Sequence, residues 1–218
     1  MSFWNWEWVA EHLDLFWDRT VQHLYLTALA VGIGMLISLP LAILSHRHRW
    51  FYPPVSWTTG ILYTIPSLAL LALLLPFTGL STLTAEIALV SYTLLILIRN
   101  TVTGLAAVPA DVKEAARGMG YTNRQLLWRV EMPLALPAIV AGIRIATVTT
   151  IGLVTVTALI GQGGLGALML GGFRRLYPQI VILVAVVLSV LLAVVADGGI
   201  LAVQRLLSPW ARPARASA

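Results

Sequence analysis

The chain has 218 residues, of which 59% are apolar and 11% are charged, whereas soluble domains contain about 45–50% apolar and about 25% charged residues. This composition excludes an ordinary soluble domain, and the absence of cysteine excludes disulfides, thiolate metal sites and a cysteine nucleophile. The net charge of +5 does not indicate a nucleic-acid binder, because the basic residues are scattered between long apolar runs. At about 20 residues per crossing, the length predicts about five membrane crossings and no separate soluble domain.

The first twenty residues predict an amphipathic helix. Aromatic or imidazole side chains recur at every fourth residue, at Trp4, Trp8, His12 and Phe16, and acidic residues occupy the opposing side. Because tryptophan favours the membrane interface, we expect residues 1–20 to lie flat on the membrane surface. Their acidic side favours the surface away from the anionic cytoplasmic leaflet.

Five apolar segments predict transmembrane helices within a domain of residues 21–207. The segments cover residues 24–44, 55–77, 83–98, 137–160 and 180–203. Pro66 interrupts the second segment and predicts a kink there. The expected fold is therefore an all-α integral membrane protein. Close helix contacts are expected at four small residues, Gly32, Ser38, Gly142 and Gly152.

Three charged residues, Glu86, Arg144 and Asp197, fall within or beside these segments. Counting helical rise from the ends of the segments places each of them near a membrane surface. We therefore interpret them as interfacial anchors or interhelical pairs. A gradient-driven carrier would instead keep such charges near mid-membrane to couple protons or cations. Their placement weakens this alternative without excluding it.

Basic residues are concentrated on one side of the predicted membrane. The first loop, the long loop of residues 99–136 and the C-terminus together hold ten lysine and arginine residues, and the other side holds three. The positive-inside rule then places the N-terminus outside and the C-terminus inside, which only an odd number of crossings permits. Residues 208–218 form a short basic tail, of which we expect residues 211–218 to be disordered.

The longest polar segment, residues 99–136, predicts a pair of short helices on the cytoplasmic side. Asp111 suits the N-cap position of the first helix, with Glu114 three residues later as in a capping box. Gly118 and Gly120 can end this helix, because glycine tolerates the left-handed conformation. The alternative interpretation is a solvated connector in which Glu114 only caps a helix.

The second helix of the pair is predicted to begin with the capping box of Thr122 and Gln125. Pro133 is expected to stop this helix before the membrane is re-entered. Apolar side chains share one face of it, at Leu126, Leu127 and Val130. Because a hairpin of this size cannot form its own core, we expect the apolar face to need a partner or the membrane surface.

This segment resembles the EAA loop of binding-protein-dependent ABC importer permeases. That loop has the pattern Glu-Ala-Ala, three residues, Gly, nine residues, an aliphatic residue, one residue, Leu-Pro. The spacing matches throughout, with Met132 where leucine is usual and Val130 where isoleucine is common. The matching positions are Glu114, Ala115, Ala116, Gly120, Val130, Met132 and Pro133. The resemblance extends over residues 22–209, nearly the whole chain.

The resemblance implies a type I importer permease with five transmembrane helices in the bacterial inner membrane. Residues 110–133 would be the coupling element that fits a groove on a cytoplasmic ATPase. A second permease copy or a sister permease, an extracytoplasmic substrate-binding protein and membrane lipid are the other implied partners. The chain would be no enzyme and would hold no cofactor, since ATP and Mg would bind to the ATPase. The residues agree, because the only lysine, Lys113, follows Val112 rather than the glycine that a phosphate-binding loop requires.

Three further stretches resemble the osmoprotectant branch of this family, which imports glycine betaine, carnitine, choline or proline betaine. They are Tyr-Thr-Ile-Pro-Ser-Leu at residues 63–68, Arg-Asn-Thr at residues 99–101 and Ile-Gly-Gln-Gly-Gly-Leu-Gly at residues 160–166. Permeases of methionine importers share the glycine-rich stretch. An amino-acid importer therefore stays the alternative substrate class.

Two groups of residues are candidates for roles outside the coupling element. The first is the glycine-rich stretch, which we expect to form part of an outer gate facing the binding protein, with an ordinary flexible loop as the alternative. Its glycines are Gly161, Gly163, Gly164 and Gly166. The second group is expected to line the pathway, although lipid-facing or packed positions are the alternative for its aromatic members. It contains Tyr63, Pro66, Ser67 and Tyr92, with Trp57 beside them.

Overall fold

The computed structural model describes residues 5–208. This range contains ten α-helices and no β-strand, which confirms the expected all-α class. Trp4 and nearly all of the predicted basic tail lie outside the described residues. The helices are α1 (Trp6–Glu11), α2 (Leu13–Arg47), α3 (Tyr52–Thr64), α4 (Ser67–Thr78), α5 (Thr82–Ala106), α6 (Ala110–Gly118), α7 (Asn123–Leu126), α8 (Met132–Val154), α9 (Leu165–Phe173) and α10 (Ile180–Leu207).

Four or five stretches of the described chain are long and apolar enough to cross a membrane. Three of them are α2, α5 and α10, and the fourth is a continuous helix from Asn123 to Val154. The fifth candidate is the pair α3 and α4, which is bent by 97°. The predicted interruption at Pro66 is confirmed, but it is a break rather than a kink. Ile65 and Pro66 both adopt extended backbone conformations, as expected for a residue that precedes proline and for the proline that ends the helical hydrogen bonding.

The helices extend beyond the predicted apolar segments. Helix α2 begins at Leu13 rather than at residue 24, and α5 continues to Ala106 rather than to residue 98. These additional turns carry polar side chains, which hydropathy excludes from a span although their backbones hydrogen-bond as helix. The fourth segment instead ends as an α-helix before its predicted last residue, 160. Helix α8 ends at Val154, and a 3₁₀ helix follows from Val156 to Ile160.

The N-terminal amphipathic pattern places apolar side chains against the protein. Val9 and Phe16 are buried in one cluster with Leu168 of α9 and Ile180 of α10. The acidic residues on the opposing side are exposed, at Glu7, Glu11, Asp14 and Asp18. The predicted two-sided character is thus present, and its apolar side packs on α9 and α10.

Helix α5 lies at the centre of the structure and approaches its neighbours closely through small residues. A Cβ atom on Gly34 of α2 would lie 2.0 Å from Thr93 Oγ1 of α5. A Cβ atom on Gly142 of α8 would lie 2.6 Å from the Cβ of Asn100. Glycine at these positions therefore permits backbone distances that a larger side chain would prevent.

The expectation for small residues is thus confirmed for Gly142 and is wrong for two others within the described chain. A Cβ atom on Gly32 or on Gly152 would meet no heavy atom within 4 Å. Ser38 is fully buried and donates its hydroxyl to Gly34 O at 2.6 Å. The sequence pattern identified the residue type correctly, but not which face of each helix is packed.

Gly34→Ala is expected to weaken the packing of α2 on α5, whereas Gly32→Ala is the matched control on the same helix. A methyl group at residue 34 must displace Thr93, and overpacking of this kind costs about 1–3 kcal/mol. At residue 32 there is space, and alanine favours helix over glycine by about 1 kcal/mol. In detergent, the melting temperature should fall for Gly34→Ala and stay level or rise for Gly32→Ala. Equal melting temperatures would contradict this account of the helix contact.

Candidate functional site

The polar hairpin begins with α6, whose first residues differ from the expectation. Pro109 occupies the N-cap position, and no side chain caps the helix. The predicted N-cap role of Asp111 with Glu114 is therefore wrong. The extended conformation of Pro109 (φ −58°, ψ 144°) starts the helix two residues earlier, so Asp111 lies inside the first turn. Its negative charge there still interacts favourably with the positive end of the helix dipole.

The turn after α6 and the start of the second helix form as the sequence predicts. Helix α6 ends at Gly118, and Gly120 has a φ of +83°. The backbone N–H of Tyr121 donates to Ala116 O at 3.1 Å, which closes the helix end. Thr122 and Gln125 then form the complete capping box, with Thr122 N donating to Gln125 Oε1 at 2.8 Å.

Pro133 does not stop the second helix, so that expectation is wrong. A π-helical turn from Leu127 to Glu131 lies immediately before it, and the N–H of Met132 donates to Leu127 O, five residues earlier. Pro133 lacks the N–H that an α-helix requires and its ring needs space near the preceding turn. The wider π-helical turn provides that space. The helix consequently runs without interruption from Asn123 to Val154.

The residues that match the EAA pattern are divided between a packed face and an exposed face. Ala116 is buried, and Val130, Met132 and Pro133 are partly buried. Glu114, Ala115 and Gly120 are exposed, and within residues 5–208 the Glu114 carboxylate has no ion-pair or hydrogen-bond partner. The capping interpretation of Glu114 therefore fails. Its side chain is available to another molecule.

Apolar contacts fix the hairpin to the transmembrane helices. Leu127 is buried in a cluster with Leu105 of α5 and with Ala135 and Ile139 of α8. Leu126 is also buried. The predicted apolar face thus finds its partner within the chain, and it packs the hairpin against the end of α5 and the start of α8.

Charged groups attach the hairpin to the end of α2. Glu131 Oε1 lies 3.7 Å from Lys113 Nζ and 3.5 Å from His46 Nε2. Arg47 Nη2 donates to the backbone oxygen of Asn123 at 3.2 Å. Glu131 was not singled out from the sequence, because its position within the EAA pattern is variable and its partners come from two other helices.

The glycine-rich stretch is tightly packed. Gly161 and Gly164 have φ values of +82° and +48°, which disfavour other residues. A Cβ atom on Gly163 would lie 2.2 Å from Ala158 Cβ, and one on Gly166 would lie 2.3 Å from Thr155 O. At these distances only glycine permits the backbone to approach its neighbours so closely. The close contacts argue against an ordinary flexible loop.

His23 of α2 holds this stretch in place, although the sequence analysis did not identify it. The ring is fully buried, and its Nε2 lies 2.9 Å from Ile151 O of α8. The backbone N–H of Leu165 donates to Nδ1 at 3.3 Å. These two contacts require a neutral ring with the proton on Nε2. One imidazole therefore joins α2, the end of α8 and the start of α9.

The residues expected to line a pathway meet at the break between α3 and α4. The rings of Tyr63 and Tyr92 lie edge to face, with centroids 5.9 Å apart. The Tyr92 hydroxyl donates to Ile65 O at 2.5 Å and so satisfies a carbonyl that the break leaves free. Pro66 is exposed and Ser67 is partly buried at the start of α4. A cleft of about 490 Å³ opens beside Tyr63 and Trp57.

The three intramembrane charges have different surroundings. Arg144 Nε and Nη2 donate to the two carboxylate oxygens of Asp197 at 2.7 and 2.6 Å, which confirms an interhelical pair. The expected position of Arg144 near the end of its helix is wrong. Because α8 begins at Met132, Arg144 lies about 18 Å along the helix, near its middle. Glu86 is buried, and within residues 5–208 its carboxylate oxygens have no hydrogen-bond partner.

Comparison with known proteins identifies relatives over most of the chain. Residues 15–212 match the family described as "Binding-protein-dependent transport system inner membrane component". The osmoprotectant import permease protein OsmW of Salmonella typhimurium is 43% identical over 195 residues, which are 87% of this chain and 90% of that protein. The carnitine transport permease protein OpuCB of Listeria monocytogenes is 39% identical over 177 residues, or 81% of each chain. The choline transport system permease protein OpuBB of Bacillus subtilis is 35% identical over 191 residues, or 88% of each chain.

A solved structure of the MetNI methionine ABC transporter in an inward-facing conformation contains a chain of similar fold. It has a TM-score of 0.80 and 25% sequence identity, and the match covers 90% of this chain and 98% of that chain. The helical arrangement described above is therefore one that occurs in a solved transporter.

His23→Leu is expected to release the glycine-rich stretch. Leucine has a similar volume but leaves the N–H of Leu165 and the carbonyl of Ile151 unpaired, at about 1–3 kcal/mol for each buried group. Amide hydrogen exchange should accelerate in residues 161–168 and remain unchanged in the hairpin of residues 110–126. His48→Leu, at an exposed histidine, is the control. Unchanged exchange in residues 161–168 would show that His23 does not hold this stretch.

Proposed function

Because the chain belongs to the family of binding-protein-dependent transport system inner membrane components, we propose that it is the permease subunit of an ATP-driven importer of osmoprotectants. The substrates are small quaternary ammonium compounds such as glycine betaine, carnitine, choline or proline betaine. Relatives named for osmoprotectant, carnitine and choline transport, at 43%, 39% and 35% identity over most of their lengths, support this substrate class. The chain itself transports and does not hydrolyse ATP.

The observation that carries the mechanism is the continuity of the hairpin with α8. The hairpin is packed on α5 and α8, and it exposes Glu114 and Ala115 on its other side. The Glu114 carboxylate has no partner within the described chain. We propose that a cytoplasmic ATPase, with its own bound ATP and Mg, grips this surface. The remaining EAA positions, Ala116, Gly120, Val130, Met132 and Pro133, shape and support the contact.

The proposed cycle transmits the movement of the ATPase along α8. The helix from Asn123 to Val154 is about 48 Å long, so a displacement of the hairpin reaches the opposite end of the same helix. There the Ile151 carbonyl contacts His23, which in turn contacts the start of α9. ATP binding would draw two ATPases together and open the helices outward, and hydrolysis would restore the inward-facing form. The outer gate is assigned to Gly161, Gly163, Gly164 and Gly166, where a binding protein delivers substrate.

The proposed topology has five spans, with the N-terminus outside and the C-terminus inside. Counting α3 and α4 as one broken span gives the odd number that the charge distribution requires. The hairpin and the end of α2, with His46 and Arg47, then share the cytoplasmic side, in agreement with their contacts through Glu131 and Asn123.

The proposed pathway lies between two permease subunits, either two copies or this chain with a sister permease. Five helices enclose little space by themselves. The Arg144–Asp197 pair is partly exposed on the surface of α8 and α10, and ion pairs within membranes face protein or water rather than lipid. This surface and the residues at the helix break, Tyr63, Pro66, Ser67 and Tyr92, are proposed to face the second permease or the pathway.

An amino-acid importer is the second candidate, favoured by the similarity to the methionine transporter structure. Its identity of 25% is lower than the 35–43% of the osmoprotectant, carnitine and choline relatives, which favours the first candidate. A gradient-driven carrier is less favoured, because Arg144 and Asp197 neutralise each other.

Glu114→Lys is expected to uncouple the permease from its ATPase. In the proposed contact, Glu114 pairs with a basic group of the ATPase. Loss of such a pair costs about 2–5 kcal/mol, so substrate uptake should fall by about tenfold or more. Glu7→Lys makes the same charge change at an exposed residue of α1 and is the control. Uptake and co-purification of the ATPase are measured at equal amounts of membrane-inserted permease. Normal uptake by Glu114→Lys would remove the coupling assignment.

Reporter fusions test the proposed topology. Alkaline phosphatase needs disulfides that form only outside the cytoplasm. Fused after Arg175, between α9 and α10, it should be active, and fused after Arg49, between α2 and α3, it should be inactive. A fusion after Ala218 should also be inactive. Activity of the fusion after Ala218 would place the C-terminus outside the cytoplasm and contradict the proposal.

A further inference from the structure

The cleft between α3 and α5 combines aromatic and aliphatic side chains with one charged group, Arg99. It has a volume of about 490 Å³ and is lined by Trp57, Gly60, Tyr63, Thr64 and Arg99, among others. Trp57 and Arg99 are exposed within the single chain. Within the described residues, Arg99 has no ion-pair or hydrogen-bond partner, in contrast to Arg144.

Arg99 lies about 26 Å along α5 from Thr82, close to the inner end of a hydrocarbon core of about 30 Å. A long arginine side chain near the end of the core reaches the interfacial water, and Arg99 is exposed in the single chain. Gly60 adds to this argument, because it leaves backbone without a covering side chain on the same wall. The cleft therefore opens to water at the end where Arg99 lies.

The end of the cleft at the helix break attracts cations. Helix α3 ends at Thr64, so its last carbonyl groups lack helical partners and carry the negative end of the helix dipole. The Tyr63 ring lies at the same end, and its position is fixed by the edge-to-face contact with Tyr92. Aromatic faces bind quaternary ammonium groups through cation–π attraction.

The opposite end of the cleft attracts anions. Arg99 follows Tyr92 by about 10 Å of helical rise along α5, so the backbone of Arg99 lies towards the end of the cleft away from the tyrosine pair, and its long side chain lines the same cleft as Tyr63. An arginine without a carboxylate partner offers paired N–H donors to a carboxylate. The two ends of one recess thus have opposite electrostatic preferences.

From this polarity we infer that the cleft is a transit subsite for a zwitterion, which places its quaternary ammonium against Tyr63 at the helix break and its carboxylate against Arg99. The inference rests on the proposed osmoprotectant import and adds a selectivity to it. Glycine betaine and carnitine have both groups, whereas choline has no carboxylate. Arg99 therefore favours the zwitterions over choline, and Tyr63 serves all of them.

The test uses the complete importer, with its ATPase and binding protein, in proteoliposomes. Arg99→Gln should reduce glycine betaine uptake by about tenfold relative to choline uptake, since it removes a charge-assisted hydrogen bond that only the zwitterion makes. Substrate-independent ATP hydrolysis should stay at the wild-type rate. Arg49→Gln makes the same charge change at an exposed residue outside the cleft and should leave the ratio unchanged.

A second pair of variants keeps the test independent of the stability of Arg99→Gln. Tyr63→Leu should reduce uptake of glycine betaine and choline alike, and Tyr63→Phe, which retains the aromatic face, should restore both. An unchanged glycine betaine to choline ratio in Arg99→Gln would overturn the subsite, as would a wild-type importer that prefers choline. Equal uptake by Tyr63→Leu and wild type would also overturn it. A wild-type complex that transports no quaternary ammonium compound would instead refute the proposed function itself.

Discussion

Close contact of α2 and α8 with the central helix α5 is the constraint on which the remaining structure depends. Lipid tails are as apolar as the helices, so burial of apolar surface does not hold these helices together as it does in water. Their association rests on packing, which Gly34 and Gly142 permit by admitting Thr93 and Asn100. The hairpin emerges between α5 and α8 and is packed on both through Leu127. The packing of α5 and α8 therefore also sets the position of the hairpin.

Several contacts lie where a helix is interrupted or where two elements meet. The π-helical turn at Leu127–Glu131 keeps the hairpin and α8 in one helix despite Pro133. His23 joins the other end of α8 to the glycine-rich stretch, and Tyr92 satisfies a carbonyl at the break between α3 and α4. A continuous series of contacts from the hairpin to the glycine-rich stretch follows from these contacts together with the continuity of α8.

Local rules predicted the features that neighbouring residues determine. The capping box of Thr122 and Gln125, the helix end at Gly118 and the interruption at Pro66, although not its 97° bend, each depend on a few adjacent residues. The errors arose where distant residues decide. The partners of His23 are 128 and 142 residues away, and nothing in the surrounding apolar pattern indicates them. Pro133 continues a helix that its local chemistry should end, because the packing of Leu127 stabilises a wider turn.

A cross-linking experiment tests most directly whether the hairpin binds a separate ATPase subunit. The chain has no native cysteine, so Ala115→Cys places a single thiol on the exposed face of α6. In membranes that contain the co-expressed ATPase, a short bifunctional reagent should join this thiol to the ATPase, and the yield should change when ATP is bound. Thr155→Cys, at the opposite end of α8, should give no such product. Efficient labelling of Ala115→Cys without any cross-link to an ATPase would contradict the account.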